Sequence, residues 1–590
     1  MNNPLKTFPS RRSVARRPAV NSWLGMLALG SACLGAASCV SVEDRENYYY
    51  NATKPESADE YGDYLSARYA GWVRDGRSAA EYYSQALSRT PEDSSLLERA
   101  IIYALVAGDV DLALKLAIEA PSKVKKDGMA ATLVAVDQFS RQQYKKTASF
   151  DDDENVGVMQ NIIARSLREW SQIGLKKNEI IRPVVHSDRE TRLFRGVQLY
   201  SDGLLQLANG QDEDAMESFE QAWQLGGRYP VGVDAYIRLN AEKGQKEAAA
   251  DLVSQFFEQI GDNPLIDQVD RELRAGKAIV APRLSPNAGA AASILGYAVA
   301  IAAKQGGDYA NLYYSIVLML DSEQDAARLL LADSMRSAQR PKDAITQLQK
   351  INENSVYYGA ARAREAWVSY DLEDVEGAIA LAHTALASKP GRSLKMQIGD
   401  LYRTLNMYQE AENLFDTVVK EDLTDGFIDW RVLFARATMR DKLNQWHEAE
   451  SDLLAALNYA PERPEILNYL GYSWIDRGKN IDEAFGMIQR AMELKPNEGY
   501  IRDSLGWAYY RLNSYDKAVQ LLEEAAELDP SDPVINDHLG DAYWRTGRVE
   551  QAKFQWSRVV EYSDDIELTQ SAKKKLKVGL DAPKPVLFKP

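Results

Sequence analysis

Small and large apolar residues recur along the chain with a period of 34 or 35 residues. Over residues 470–491, 505–525 and 539–559, a Leu-Gly pair is followed by an aromatic residue three positions after the glycine, and then by small and large apolar residues at constant offsets. Within each copy these positions are three, four or seven residues apart, which places their side chains on one face of an α-helix. The pattern predicts a tandem repeat in which each copy is a pair of helices.

The same register continues upstream with weaker residue matches. A small residue recurs in the predicted first helix of each pair, and another follows twelve or thirteen residues later in the predicted second helix. Small side chains let two helix backbones approach where they cross. Further matches occur at Ala79 and Ala113 and at Ala215 and Ala248, and the pattern is weakest between about 121 and 190. The first-helix positions are Ala332, Ala366, Gly399, Ala437, Gly471, Gly506 and Gly540, and the second-helix positions are Ala344, Ala378, Ala411, Ala449, Ala484, Ala518 and Ala552.

The order of Leu-Gly, Tyr, Ala, a large apolar residue, Ala and Pro over residues 505–530 resembles the tetratricopeptide-repeat pattern, and three consecutive copies make the match specific. The resemblance implies an all-α fold. The expected architecture is a right-handed superhelix, an α-solenoid of antiparallel helix pairs arranged in two arms. One helix pair cannot bury its apolar face alone, so the stacking of neighbouring repeats would form a continuous core.

Composition and charge divide the chain into six expected segments. The stretch 258–290 contains Pro264, Pro282, Pro286 and several glycines, which favour turns and irregular backbone. It is therefore the predicted boundary between the two arms. The expected segments are a signal peptide at 1–38, a lipidated polar tether at 39–60, an N-terminal helical arm at 61–257, an irregular linker at 258–290, a C-terminal superhelix at 291–566 and a basic, proline-containing tail at 567–590.

The N-terminus has the features of an export signal. Five basic residues precede an apolar stretch at 23–37, which has the length of a signal-peptide core. The stretch ends in Ala36-Ala37-Ser38-Cys39, which resembles the bacterial lipobox, although leucine is usual at the position of Ala36. The resemblance implies that Cys39 is acylated and becomes the mature N-terminus. An uncleaved membrane anchor is the alternative, but so short a stretch, rich in Gly, Ala and Ser, is a poor spanning helix.

The residue after Cys39 indicates whether the lipid anchor lies in the inner or the outer membrane. Val40 stands where an aspartate would favour retention in the inner membrane of some bacteria. We therefore expect a lipid anchor in the outer membrane, with the body of the protein facing the periplasm. The only two cysteines, Cys33 and Cys39, lie in this N-terminal segment, so no disulfide is expected in the rest of the chain.

Charge and missing motifs exclude several classes of function. The net charge of −16 disfavours binding to the phosphate backbone of nucleic acids. The sequence has no glycine-rich phosphate-binding loop, no Gly-x-Ser-x-Gly motif and no His-Glu-x-x-His motif, each of which would carry a recognisable chemistry. Its four histidines are scattered along the chain. We therefore expect a protein that is not an enzyme and has no catalytic residue, cofactor or metal site.

The first helices provide the expected binding surface. In tetratricopeptide repeats they line a groove, and a fixed set of their positions points into it. Tyr, Trp and Arg, which are enriched at binding hot spots, are frequent at those positions here. The alternative is that the aromatic residues pack between repeats and that the arginines pair with neighbouring aspartates, namely Asp503, Asp537 or Asp541. The candidate partner-binding residues are Asn468, Tyr472, Tyr500, Asp503, Trp507, Tyr510, Arg511, Asp541, Trp544 and Arg545.

A second resemblance concerns the three best-matched repeats. The segments that begin Asn468-Tyr-Leu-Gly-Tyr, Asp503-Ser-Leu-Gly-Trp and Asp537-His-Leu-Gly-Asp are similar to the last three repeats of a family of proteobacterial envelope lipoproteins. A pseudomonad member of that family is the outer-membrane adaptor of a carboxyl-terminal processing protease. The resemblance implies a membrane-anchored periplasmic scaffold that binds other proteins and brings such a protease to its substrates. The alternatives are a scaffold for polysaccharide export or outer-membrane assembly, and a peptidoglycan- or glycan-binding protein that stacks sugars on Trp507 and Trp544.

Overall fold

The computed structural model describes residues 60–123, 128–150, 158–176, 192–305, 307–388, 390–424, 426 and 428–581. Every regular element in these ranges is an α-helix, and the helices form an all-α solenoid. The predicted signal peptide, Cys39 and all but the last residue of the predicted tether lie outside the described residues, as do residues 582–590 of the predicted tail. Over the described part of the chain, no helix combines the length and the hydrophobicity needed to cross a bilayer.

The chain divides after Ser393 into two compact units. Within its described residues, the first unit contains α1 Glu60–Trp72, α2 Gly76–Arg89, α3 Ser94–Ala107, α4 Val110–Glu119, α5 Gly128–Ser140, α6 Tyr144–Thr147, α7 Val158–Gly174, α8 Arg192–Ala208, α9 Asp212–Gln224, α10 Pro230–Glu242, α11 Lys246–Gln259, α12 Pro264–Arg274, α13 Pro286–Gln305, α14 Gly307–Leu320, α15 Asp325–Ser337, α16 Pro341–Leu348, α17 Tyr358–Asp371 and α18 Val375–Ala387.

One helix, α19, spans the division at Arg392–Thr404. The described part of the second unit continues with α20 Tyr408–Thr424, α21 Trp430–Lys442, α22 Trp446–Tyr459, α23 Pro464–Arg477, α24 Ile481–Leu494, α25 Gly499–Arg511, α26 Tyr515–Leu528, α27 Pro533–Arg545, α28 Val549–Tyr562 and α29 Ile566–Val578.

The predicted helix pairs are confirmed. The two series of small residues fall one each on α15 to α28, alternating between the first and second helices of seven consecutive pairs, and all of these residues are buried. A Cβ added at Gly540 would lie 2.5 Å from Nε1 of Trp556 on the paired helix, so this crossing accepts only glycine. Ala248 is the exception upstream: it is exposed, and the buried position is Ala249, so that prediction is wrong by one residue.

The turn that ends the first helix of each repeat contains one residue in the left-handed backbone region. In the first unit these residues follow one another at intervals of 34 residues from Arg74 to Gly244. The spacing is therefore kept at Gln142 and Lys176, which lie in the stretch where the sequence pattern is weakest. One reason for the weak pattern is that the second helix α6 has only four residues. The residues in this series are Arg74, Gly108, Gln142, Lys176, Gly210 and Gly244.

The predicted linker at 258–290 does not separate the two units. It contains α12, which packs on α10, and it ends at the start of α13, which packs on α7, α8 and α14. Pro264 and Pro286, which suggested irregular backbone, each begin a helix. Proline is favourable at that position because the first N–H groups of a helix have no intrahelical acceptor. The two prolines are therefore start signals, and the division lies more than a hundred residues later.

The hairpin of α13 and α14 is packed among helices that are distant in sequence. Nε1 of Trp170 donates to Ser293 Oγ over 3.2 Å, and the hydroxyl of Tyr229 donates to the carbonyl of Ala292 over 2.6 Å. The hydroxyl of Ser315 donates to the carbonyl of Leu105 over 2.8 Å. These contacts join residues 63 to 210 positions apart. The first unit is thus held by long-range packing as well as by the stacking of neighbouring repeats.

The predicted tail begins with a packed helix. Ala572 of α29 is fully buried, and Leu568, Leu576 and Leu580 pack against the apolar core of the last repeat. The leucine and alanine positions at 568, 572 and 576 are four residues apart, so they share one helix face. The expectation of a tail from residue 567 is therefore wrong for 567–578, because the basic run there is one side of an amphipathic helix.

Candidate functional site

All ten candidate partner-binding residues lie on three first helices of the second unit. Asn468 and Tyr472 belong to α23, the residues from Tyr500 to Arg511 belong to α25, and the three from Asp541 to Arg545 belong to α27. We call the surface formed by these residues the first-helix face. The sequence register alone placed them together, because equivalent positions of neighbouring repeats lie next to each other in a solenoid.

Trp507 is the centre of an aromatic stack on this face. Its ring lies 4.6 Å from that of Tyr510 with 9° between the planes, and 4.0 Å from that of His538 with 16° between the planes. The Tyr472 ring lies 6.5 Å from the His538 ring. The stack joins all three helices, so Trp507 has a structural role in addition to any role in binding.

His538 was not predicted as a site residue. Its Nδ1 lies 2.9 and 3.0 Å from the two carboxylate oxygens of Asp503, and the ring is buried. Burial lowers the pKa of the imidazole, but the carboxylate of Asp503, with those of Asp537 and Asp541, outweighs burial, and the net shift is upward. The sequence held a signal for this pair, since His538 follows Asp503 by one repeat period.

Two further pairs across neighbouring repeats have the same spacing. Arg511 donates to Asp476, and Nε of Arg545 donates to the hydroxyl of Tyr510 over 3.3 Å. Both pairs, like His538 with Asp503, join residues 35 positions apart. The expectation that the two arginines pair with Asp503, Asp537 or Asp541 is therefore wrong, because those carboxylates are buried against other donors.

Asp541 and Asp537 accept hydrogen bonds from Lys575 on α29, the last described helix. Asp541 Oδ1 accepts from Nε1 of Trp556 over 3.0 Å and from Nζ of Lys575 over 2.7 Å. The same ammonium donates to both oxygens of Asp537. Burial raises the pKa of Asp541, against the lowering effect of Lys575. These contacts make Asp541 part of the attachment of α29, and Lys575 is a second residue that sequence reasoning missed.

Trp544 also packs against other residues of the same unit. Its ring lies 5.5 Å from that of Trp556, tilted by 38°. A Cβ placed on Gly579 would lie 2.0 Å from the Trp544 ring, so the end of α29 passes directly against it. This packing favours the alternative in which Trp544 fills space between elements, and it disfavours a sugar stacking on that ring.

The accessible part of the first-helix face is smaller than predicted. Tyr500 is exposed, and Tyr472, Trp507, Tyr510, Arg511 and Arg545 are half-buried, whereas Asn468, Asp503 and Asp541 are buried. Within the described part of the chain, Oδ1 of Asn468 and Nε1 of Trp507 are buried and have no hydrogen-bond partner. A buried acceptor and a buried donor without partners each cost free energy in the folded state.

Clusters of titratable side chains were the next candidates for a site. In the ranges given above, no three His, Cys, Asp or Glu side chains are grouped so that they could hold a metal ion. A largely buried cluster of charges joins Arg436 to Asp452 at 2.7 and 2.8 Å and to Asp416 at 2.8 Å. Its charges are matched by direct ion pairs across α20, α21 and α22, which is the arrangement of a structural network.

Comparison with known proteins identifies the repeat. Residues 506–547 match the family model of the TPR repeat, that is, the tetratricopeptide repeat. A TPR repeat-containing protein of Pseudomonas aeruginosa is 26% identical over 181 residues, which cover 31% of this chain and 30% of that protein. The match thus spans less than a third of the relative's length. Residues 506–547 are thus similar to the tetratricopeptide repeat, and stacked repeats of this kind form extended surfaces for binding other molecules.

Two solved structures of tetratricopeptide-repeat proteins are similar to parts of the chain. One, from Thermus thermophilus, is 21% identical and matches 32% of this chain and 100% of that chain with a TM-score of 0.29. The other, from Parabacteroides merdae, is 18% identical and matches 37% of this chain and 86% of that chain with a TM-score of 0.31.

Proposed function

We propose that this tetratricopeptide-repeat protein is a lipid-anchored scaffold of the bacterial envelope that holds a protein partner on the first-helix face. The observation that supports this most directly is the alignment of Tyr472, Tyr500, Trp507, Tyr510 and Arg511, all at least partly accessible, on neighbouring first helices. Tyr, Trp and Arg are enriched among the few residues that provide most of the binding energy at protein interfaces.

The accessible groups of the face suit an extended polypeptide. Tyr500 is exposed, and Tyr472 and Arg511 are half-buried. A peptide backbone offers one donor and one acceptor per residue, so it can pair with the tyrosine hydroxyls and with the guanidinium group. The aromatic rings around them supply apolar contact area at a low cost in conformational entropy.

The anchor and the partner complete the proposal. Acylation at Cys39 would keep the scaffold on the outer membrane with its repeats in the periplasm, since a lipoprotein with more than one acyl chain stays bound. The partner we propose is a carboxyl-terminal processing protease, as the family resemblance implies. Holding the protease and its substrates on one scaffold raises their effective concentration without a new catalytic group.

Affinity purification tests both parts of the proposal. The tagged full chain is purified from detergent extracts of its native envelope, and bound proteins are identified by mass spectrometry. We expect the protease to co-purify with the wild type and Cys39→Ala to leave the membrane fraction. Recovery of no protease from the wild type would refute the partner, and a mature Cys39→Ala protein that stays on membranes would refute the anchor.

A further inference from the structure

The first helices of the second unit end in a regular series of arginines. α23, α25 and α27 end at Arg477, Arg511 and Arg545. Each guanidinium donates to a side chain on the preceding first helix, at the position before the last residue of that helix. The three contacts are therefore equivalent, and we call them the arginine ladder. Their acceptors, in the same order, are Asp441, Asp476 and Tyr510.

The last contact of the arginine ladder differs from the other two in charge. Arg477 and Arg511 form ion pairs with aspartates, whereas the acceptor for Arg545 is the neutral hydroxyl of Tyr510. The nearest carboxylate along α27 is that of Asp541, one turn earlier, and it accepts from Trp556 and Lys575 instead. Over the ranges that the structure describes, Arg545 therefore has no carboxylate partner.

Arg545 and Tyr510 together offer several hydrogen-bond donors at one place. Nε of Arg545 donates to the hydroxyl of Tyr510 over 3.3 Å. Among the described residues, the two Nη atoms of Arg545 and the O–H group of Tyr510 have no acceptor, and both side chains are half-buried. A planar guanidinium presents its N–H groups in a fork that matches the two oxygens of a carboxylate.

Aromatic packing holds these donors in place. The Tyr510 ring stacks on that of Trp507 at 4.6 Å, and Trp544, next to Arg545 in the sequence, packs on Trp556 at 5.5 Å. Donors that are already positioned lose little conformational entropy when a ligand binds. An ion pair beside these rings is also screened less by salt than a fully exposed pair is.

We propose that Arg545 and Tyr510 bind the side-chain carboxylate of an aspartate or glutamate in the partner polypeptide. The ligand's carboxylate takes the role that Asp441 and Asp476 have in the other two contacts of the arginine ladder. The inference rests on the proposed function, in which the first-helix face holds an extended polypeptide, and it adds the chemistry that this polypeptide carries. In a chain with a net charge of −16, long-range repulsion opposes acidic ligands, so a preference for one acidic residue requires a local cation.

Peptide selection followed by amide replacement tests this contact. A phage library of random peptides is selected on the full chain, and the most enriched peptide is synthesised with each acidic residue either kept or replaced by its amide. Fluorescence anisotropy measures the affinity of each version. We expect one amide replacement to weaken binding to the wild type about tenfold and to have little effect on binding to Arg545→Gln. Tyr510→Asp, which supplies an internal carboxylate to Arg545, should also remove the preference for the acid.

Two control variants separate a carboxylate site from a general effect of charge or folding. Arg477→Gln removes an arginine of the same ladder that already has an aspartate partner, so it should leave the ratio of the two affinities unchanged. Arg545→Lys keeps the charge and should keep part of the preference, and the melting temperature of every variant is compared with that of the wild type.

The outcomes distinguish this inference from the proposed function. Peptides that lose affinity for Tyr500→Ala but show no preference for an acid would overturn the carboxylate site and leave the first-helix face as a binding surface. An amide replacement that weakens binding to Arg545→Gln as much as to the wild type would place the carboxylate elsewhere and also overturn it. A library that yields no enriched peptide would count against an extended acidic ligand, and co-purification of the protease would still test the proposed function.

Discussion

Nδ1 of His538 lies 2.9 Å from a carboxylate oxygen of Asp503, one repeat period away in sequence. The same imidazole ring stacks on Trp507 at 4.0 Å. The imidazole therefore contacts the carboxylate of Asp503 through its ring edge and the indole of Trp507 through its ring face. These contacts link α25 to α27. Its buried position makes the pair a sensitive reporter of how the repeats dock.

We predict that His538 titrates above the ordinary histidine pKa of about 6.5. Burial alone would lower the pKa, but Asp503, Asp537 and Asp541 favour the charged imidazolium, and their effect is larger. A raised folded-state pKa gives stability that is present below about pH 6.5 and is lost as the pH rises through the folded value. NMR titration of the histidine ring signals, assigned with His538→Gln, measures this pKa.

The Asp503→Asn variant is the control for the cause of the shift. Removing the carboxylate charge should move the His538 pKa downward while the ring stays buried. Asp541 also has a raised pKa, so the stability that it contributes starts to be lost as the pH rises above the ordinary aspartate value, and the His538 ring signals are what distinguish the two groups. A wild-type His538 that titrates below 6.5 would contradict the role given to Asp503.

Alanine substitutions at two glycines of one repeat should change the stability of the fold in opposite directions. A Cβ at Gly471 would lie 2.8 Å from the backbone carbonyl oxygen of Ala484, which cannot move away cheaply, whereas at Gly486 no described atom lies within 4 Å. Gly471→Ala should destabilise by about 1–3 kcal/mol through overpacking. Gly486→Ala, in the interior of α24, should stabilise by about 0.5–1 kcal/mol. Thermal unfolding of the two variants compares them, and shifts of the same sign would count against the assigned helix crossing.

Lys575 should be needed for the docking of α29. Its ammonium is the counter-charge for Asp537 and Asp541, and all three side chains are largely buried. Lys575→Met leaves the two carboxylates buried without it, which costs roughly 3 kcal/mol. Lys574→Met, at an exposed position, should change stability by less than about 0.5 kcal/mol. Hydrogen exchange over residues 533–578 measures the effect.

The pH dependence of hydrogen exchange in Lys575→Met is a second test of the role of Lys575. Burial raises the pKa of Asp541, and its protonation removes one of the two unpaired charges, so the loss of protection in Lys575→Met should shrink as the pH is lowered. Equal protection in Lys575→Met and Lys574→Met at neutral pH would mean that α29 is held by its leucines alone.

Trp170 should connect two parts of the first unit that are distant in sequence. Its side chain is fully buried against Gly289, where a Cβ would lie 2.1 Å from the indole ring. Trp170→Ala should cost about 3–5 kcal/mol by leaving a cavity. Hydrogen exchange should accelerate in both α7 and α13, and the exposed Trp72→Ala should change neither. Faster exchange in α7 alone would mean that the first unit is stabilised only by contacts between adjacent repeats, and that Trp170 does not couple α7 to α13.

The sequence pattern predicted the parts of the fold that repeat. Gly471, Gly506 and Gly540 mark helix crossings, and a crossing has the same steric requirement in every copy, so its residue type recurs. The packing of α13 could not be predicted in this way. That helix is rich in Ala and Gly and is buried on several sides, so it has no amphipathic pattern, and its contact with Trp170 is specific to one place in the chain.

The candidate site was predictable to the level of helices and only partly to the level of side chains. Residues 35 positions apart contact each other across neighbouring repeats, as Arg511 contacts Asp476. Adding one repeat period to a residue number would therefore have predicted these polar pairs from the sequence alone. The covering of Trp544 by Gly579 was not predictable, because α29 is an incomplete repeat and its sequence does not continue the pattern.

The central claim is that the first-helix face binds a protein partner, and the most direct test is the affinity of the full chain for the purified protease. Tyr500→Ala with Arg511→Ala removes one exposed and one half-buried side chain and leaves Trp507 and its stacked rings in place, and Leu454→Ala with Tyr459→Ala is the control on the exposed side of α22. We predict that the first pair weakens binding by about thirtyfold or more, with an unchanged melting temperature, and that the control pair does not weaken it. Wild-type affinity in Tyr500→Ala with Arg511→Ala would contradict the account.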